Sequence, residues 1–399
     1  MKKFMCAALA CAMAFSMAAC SGGDKKDDNT SSSGTTTTTT EGGTIVIGGI
    51  GPLTGGAATY GTAVKNGAQL AVDEINAAGG VNGMQLSLVF QDDEHDAEKS
   101  VNAYNVLKDK NMKVLLGTVT STPCVAVEEY AEQDNMFLLT PSGSAVDCIS
   151  GDNAFRVCFS DPNQGIASAQ YIKENGLAEK VAVIYNSSDV YSSGIYEKFV
   201  TEAANEGLEI VAAEAFTNDT NTDFSVQIQK IQESGATLVF LPIYYEEAAL
   251  ILTQSDKVGF KPDFFGCDGL DGVIPQLGDK VALAEDVMLL TPFAADAKDE
   301  KTQAFTAAYK AAYGEIPNQF AADGYDGVYT IKAALEKAGI TDSSISASDL
   351  CDALKAAMLE IEVEGVTGTM TWSADGEPSK TPKAMKIIIT DGQGSYSAM

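Results

Sequence analysis

The side chains that could carry chemistry are unevenly supplied in this chain. There is one histidine, His95, and one arginine, Arg156, among 399 residues. Ser-His-Asp and Cys-His catalysis both need a positioned imidazole, and a multi-histidine metal site needs several. His95 is therefore the sole candidate base of that kind, and it sits in the run Gln91-Asp92-Asp93-Glu94-His95-Asp96. That run could be a metal cluster, or a strand end followed by an acidic helix start, Asp96-Ala97-Glu98, where carboxylates offset the positive end of the helix dipole. Two other stretches suit binding better than catalysis. Gly117-Thr118-Val119-Thr120-Ser121-Thr122-Pro123 leads from an apolar run into a helix start, where unpaired amides attract a carboxylate and a first-turn proline loses no hydrogen bond. Ser121 or Thr122 would serve equally as a plain helix cap. Asp268, in Gly266-Cys267-Asp268-Gly269, follows a strand at the end where open α/β sheets hold ligands. It is either a buried anion for an ammonium group or an Asp-Gly turn.

Other chemistries fail on spacing. Gly49-Ile50-Gly51 follows a strand as in Rossmann-type enzymes, but Thr54 stands where the third glycine belongs and Pro52 removes a needed amide donor. The cysteines show no CxxC and no zinc-like spacing. Five of them, Cys124, Cys148, Cys158, Cys267 and Cys351, lie in the body, an odd number whose pairing sequence cannot assign. No cofactor and no metal are expected.

The elements that must position these residues are legible in outline. With 45% hydrophobic and 20% charged residues the chain can bury a core, and its length favours two domains. A formal net charge of −29 opposes binding to nucleic acid or anionic surfaces. Lys2-Lys3 and the apolar run Phe4 to Ala19 read as a secretory signal, residues 1–19. From Thr44 onward, short β-branched runs alternate with helical patterns: Ile45-Val46-Ile47, Leu86 to Phe90, Val114-Leu115-Leu116, Phe137-Leu138-Leu139, Val181 to Tyr185, Leu208 to Ala213, Leu238 to Leu241 and Phe264-Phe265-Gly266. Such βα repetition implies parallel sheets with helices on both faces, and about ten strands before residue 290 are better accommodated in two sheets than in one. Helices are expected at 301–313, 325–338 and 350–359, then a β-rich end.

Two resemblances add to this. Met17-Ala18-Ala19-Cys20 resembles the lipobox of bacterial lipoproteins, which implies lipid attachment at Cys20, two acyl chains in the membrane and a disordered linker over 20–43. Ile47-Gly48-Gly49-Ile50-Gly51-Pro52-Leu53-Thr54-Gly55, then Tyr60-Gly61, then Gly67 to Gly83, with the later Gln91 to Glu94, Tyr325-Asp326 and Gly365 to Gly368, resembles the leucine/isoleucine/valine-binding proteins of ABC importers. The resemblance covers essentially all of 44–399. It implies the α/β, two-lobed class I periplasmic-binding-protein fold, each lobe a mostly parallel sheet flanked by helices, with three hinge crossovers. Lobe 1 is expected from 44–161 plus 292–370, and lobe 2 from 162–291 plus 371–399.

For function the resemblance implies an exported, membrane-anchored monomer that is no enzyme. It would close on an amino acid, foremost a branched-chain one, and deliver it to a permease with its ATPase. A sensor of the same fold, or an amide- or urea-binding protein, is the alternative. The family holds the ligand carboxylate with hydroxyls matched here by Ser121, Thr122, Ser142 and Ser144. It supplies tyrosines matched by Tyr60, Tyr191 and Tyr244, the last in a Tyr-Tyr pair, and an acid for the ammonium matched by Asp268. Asp stands where the best-known members carry Glu, so the resemblance implies a zwitterion and leaves its side chain open.

Overall fold

Apolar runs buried on both faces, such as Val114-Leu115-Leu116-Gly117 and Leu238-Val239-Phe240-Leu241, form the centres of two parallel sheets, the pattern expected when helices cover both sides. The computed structural model describes residues 43–399. The expected signal segment, Cys20 and nearly all of the expected linker lie outside these residues.

The first sheet contains β1 (Thr44–Gly51), β2 (Gln85–Asp92), β3 (Val114–Gly117), β4 (Leu138–Thr140) and β5 (Ala154–Arg156), in the order β2-β1-β3-β4-β5, with every neighbouring pair parallel. Between them run α1 (Ala58–Ala77), α2 (Ala97–Asp109) and α3 (Ser121–Gln133). Side chains alternate along the strands. Ile47, Leu116 and Leu139 meet Val72 of α1 on one face, and Ile50, Leu115 and Leu138 meet Tyr104 of α2 and Val127 of α3 on the other.

The chain then crosses to a second sheet through α4 (Asp161–Glu174). There β6 (Lys180–Asn186), α5 (Val190–Glu206), β7 (Glu209–Phe216), α6 (Ser225–Ser234), β8 (Leu238–Leu241), α7 (Tyr245–Lys257), β9 (Asp263–Gly266), α8 (Val273–Leu277) and β10 (Met288–Thr291) follow in order. A second crossing leads to α9 (Glu300–Tyr313), α10 (Gln319–Lys337), α11 (Ala347–Met358) and the short pair β11 (Val363–Gly365) and β12 (Gly368–Met370), and a third returns it to β13 (Lys383–Thr390) and β14 (Gln393–Ala398). The second sheet has the order β14-β13-β10-β9-β8-β6-β7, parallel except at its β13 and β14 end.

Three differences from the sequence expectations have local causes. Strand β5 is only three residues long, too short to leave a period. Helix α10 starts at Gln319 rather than 325, because Asn318 caps it by accepting from the Ala321 amide at 3.1 Å. The expected return to lobe 2 at 371 falls later: Trp372 is buried in the first lobe's core and its indole N–H donates to the Arg156 carbonyl at 2.8 Å, while Lys380 reaches the Thr367 hydroxyl at 2.6 Å. The second sheet is rejoined at Lys383.

Helices α1 and α10 cross with their backbones nearly touching. A Cβ at Gly67 would lie 1.9 Å from the Ala321 carbonyl oxygen, and one at Gly324 would lie 2.4 Å from that of Val64. Replacing Gly67 with valine should therefore destabilise the fold by about 1–3 kcal/mol, the range for overpacking a tight contact. Thermal unfolding followed by circular dichroism measures this, and an unchanged Tm would contradict the close crossing.

Candidate functional site

Where the two lobes face each other, each presents the C-terminal ends of its parallel strands. β1 leads into the first turn of α1, which carries Tyr60. β3 leads into the turn before α3, which carries Thr120 and Ser121, and β4 leads into the loop bearing Ser142 and Ser144. From the second lobe, β6 leads to Asp189 and Tyr191, β8 to Tyr244, and β9 to Asp268.

Six residues singled out in the sequence, Tyr60, Ser121, Ser142, Tyr191, Tyr244 and Asp268, surround one cavity. Val119, Thr120, Gly269 and Phe320 complete its wall; the first three lie in the two stretches quoted from the sequence but were not singled out, and Phe320 lies in no motif. Phe320 in particular is an apolar residue in a helical pattern, which sequence cannot tell from core. The lobes are closed and the cavity is small, about 10 Å3, the room one water needs. Anything larger than a water must therefore enter with the lobes parted.

The two sides of the cavity differ in polarity. On the first lobe, Ser121 begins α3, and its Oγ accepts from the main-chain N–H groups of Ser144 and Ala145, both at 3.2 Å. Ser142 Oγ donates to the Val119 carbonyl at 2.6 Å. No side chain caps α3, so the turn faces the cavity with the positive end of its helix dipole. Behind it Arg156 is wholly buried and donates from Nη1 to the carbonyls of Gly143 (3.2 Å) and Ser144 (2.5 Å), and from Nη2 to that of Ala145 (3.0 Å). The chain's one arginine thus fixes the loop that follows Ser142.

On the second lobe, Asp268 is buried, and its Oδ1 accepts from the Tyr191 hydroxyl at 2.7 Å. Burial pushes its carboxyl up to about 6, against the hydrogen bond from Tyr191 that pulls it down. Asp161, at the start of α4, was missed in the sequence. Both of its buried carboxylate oxygens lack a hydrogen-bond partner among the described residues, and burial pushes its carboxyl well up. A clue existed only in its place after a strand, at the crossover. An anion-attracting turn on one side of the cavity therefore faces the buried Asp268 carboxyl on the other.

Two expected ligand residues do not reach the cavity wall. The Thr122 hydroxyl points across the lobe boundary, donating to Asp189 Oδ1 at 3.2 Å and accepting from the Val190 N–H at 3.4 Å. Ser144 is buried behind Ser121, its carbonyl taken by Arg156 and by the Asp161 N–H at 2.9 Å. Tyr60 both lines the cavity and bridges the lobes: its hydroxyl donates to the Gly269 carbonyl at 2.5 Å and accepts from the Tyr245 N–H at 3.1 Å. Tyr244 stacks on Tyr191 with centroids 4.9 Å apart and meets Tyr60 edge-on at 5.4 Å. In the acidic run, Asp92 accepts from the Leu53 and Glu94 amides, Asp93 from that of His95, and Asp96 from that of Lys99, so these carboxylates shape a turn and cap α2. His95 Nδ1 lies 2.8 Å from the Thr120 hydroxyl and Nε2 lies 3.8 Å from Asp189, and burial holds the imidazole below its ordinary value.

Fold and cleft together define a two-lobed solute-binding protein. The chain belongs to the periplasmic binding protein family, whose description matches residues 44–392. It is 31% identical over 345 residues to Leu/Ile/Val-binding protein homolog 3 of Brucella melitensis, covering 84% of this chain and 89% of that one. It is 30% identical over 303 residues to the leucine-, isoleucine-, valine-, threonine- and alanine-binding protein of Pseudomonas aeruginosa, covering 75% of this chain and 80% of that one. Among solved structures, the branched-chain amino acid transporter substrate-binding protein LivJ of Streptococcus pneumoniae, in complex with isoleucine, superposes with a TM-score of 0.78 at 28% identity, over 89% of this chain and 100% of that one.

The raised Asp268 carboxyl sets a pH dependence. Its native value of about 6 exceeds the ordinary 3.8, so between those values the folded protein holds a proton that the unfolded chain has released. The stability from its neutral form is present below about pH 4 and lost as pH rises through 6. In the unliganded protein, Asp268→Asn should raise Tm at pH 7.5, by up to about 3 kcal/mol of stability, and change little at pH 4. Equal effects at both pH values would show that Asp268 is not buried as a strained anion.

Proposed function

We propose that the cleft captures a free amino acid, foremost leucine, isoleucine or valine, by closure of the two lobes, and that the loaded protein delivers it to an ABC permease. The observation that carries this reading is the pairing across one cavity of the uncapped α3 start, with Ser121 and Ser142, and the buried Asp268 carboxylate. In this reading the ligand carboxylate takes the first-lobe amides and hydroxyls. Its ammonium takes Asp268, with Asp161 adding negative field, and its side chain displaces the rings of Tyr60, Tyr244 and Phe320. The isoleucine and leucine/isoleucine/valine specificities of the relatives support a branched-chain ligand. The threonine and alanine in the name of the Pseudomonas aeruginosa protein show how far a relative's range extends. Closure is held by Tyr60 on Gly269 and Tyr245 and by Thr122 on Asp189. We further propose that the protein acts outside the cytoplasm as a monomer anchored by lipid on Cys20, with 20–43 as its tether.

Thermal-shift and calorimetric titration of the protein with the twenty amino acids, urea and short amides tests this. A ligand at 100 times its Kd should add about 2.7 kcal/mol of stability. Leucine, isoleucine or valine should give the largest shift, and Asp268→Ala should weaken binding by at least about 100-fold, the loss expected when one partner of a buried charge pair is removed. A response confined to urea or amides, which carry no ammonium, would overturn the reading.

A further inference from the structure

Cys124 stands in the first turn of α3, three residues after Ser121, and Cys148 lies in the 3-10 turn Val146–Ile149 that follows the Ser142 and Ser144 loop. Both are fully buried and pack with Ala145 in a small cluster behind the cavity wall. The Cys148 thiol donates to the Ser121 carbonyl, with its sulfur 3.7 Å away, and Cys124 Sγ lies 4.0 Å from the Cys148 carbonyl oxygen. The two thiols lie close enough for each to bias the ionisation of the other. Cys267 and Cys351 sit in other cores.

We propose that Cys124 and Cys148 form a disulfide that staples the start of α3 to the loop carrying Ser142 and Ser144. The same two segments are already joined by Ser121 Oγ, which accepts from the Ser144 and Ala145 amides. The staple would therefore hold the carboxylate-facing half of the cavity in its binding shape before ligand arrives. The unequal thiols suit the exchange: burial raises Cys124, but hydrogen bonds from Cys148 and Thr118 outweigh it and bring that thiol below its ordinary value, whereas burial drives Cys148 well up.

The oxidant is a disulfide of a small thiol or of a thiol–disulfide oxidoreductase, as found outside the cytoplasm. The Cys124 thiolate attacks one sulfur of that disulfide and displaces one thiolate, giving a mixed disulfide. Cys148, on losing its proton, attacks Cys124 Sγ and displaces the second thiolate. The two protein thiols thus lose two electrons and two protons, and the oxidant is reduced to two thiols. Because both sulfurs are sealed in the folded protein, the exchange takes place before the Ser142 to Ile149 loop docks on α3.

The proposal rests on the exported location proposed above, but its test reads sulfur and not ligand, so the two can fail separately. The full chain is unfolded, refolded with oxidised and reduced glutathione, unfolded again in iodoacetamide, digested and mapped by mass spectrometry. The expected result is a linked peptide pair containing Cys124 and Cys148, lost on dithiothreitol treatment, with a Tm several degrees lower in the reduced protein. In the Cys124→Ala, Cys148→Ala double variant, dithiothreitol should no longer move Tm. Alkylation of both cysteines after refolding with oxidised glutathione, or a link from either to another cysteine, would overturn the proposal.

Discussion

A carboxylate buried without a cation is the interaction on which the arrangement of this protein turns. Asp268 is removed from water on the second lobe, and what faces it across the cavity on the first lobe is the partial positive charge of the amides at the start of α3. Each lobe by itself leaves its half of the site electrostatically incomplete. In the proposed binding mode a zwitterion laid between them completes both halves, its ammonium offsetting the desolvation of Asp268 and its carboxylate the unpaired amides. Closure then has a driving force that depends on what lies in the cleft, the condition for a conformational change to be caused by a ligand.

The remaining structure serves to hold those two half-sites in register. Three crossings join the lobes, so they can move about a hinge without separating. On the first lobe the site loops are fixed from behind: Arg156 takes successive carbonyls after Ser142, and Trp372 takes the Arg156 carbonyl in turn. On the second lobe Tyr191 is locked by Asp268 and by the Gly269 N–H. The lobes meet through polar contacts, among them Tyr60 on Gly269 and Tyr245, Thr122 on Asp189 and the Gln319 N–H on Asp271, and through an apolar and aromatic patch around Tyr60, Tyr244 and Phe320.

Much of this was legible in the sequence because it is written in local periods. Alternating β-branched runs and helical patterns give parallel sheets, Pro123 after Ser121-Thr122 marks a helix start, and Asp268 follows a strand end. The scarcity of histidine and arginine narrows the chemistry without any fold. These signals depend on neighbours a few residues apart, and such neighbours keep their relations whatever the rest of the chain does.

Tertiary structure decided what local order cannot. Thr122 follows Ser121 by one residue and Ser144 follows Ser142 by two, yet one reaches across to Asp189 and the other is buried under Arg156, because a step or two along a turn redirects a side chain. Phe320 joins the site from a segment far from it in sequence, and a helix residue carries no mark of the wall it will face. Asp268 could have been a turn residue; packing against Tyr191 and Gln164 made it a buried acid, since burial is set by what other segments bring and not by the residue itself. The class of the protein was thus determined by its sequence, while the identity and polarity of the groups that meet in the cleft were determined only when the two sheets came together.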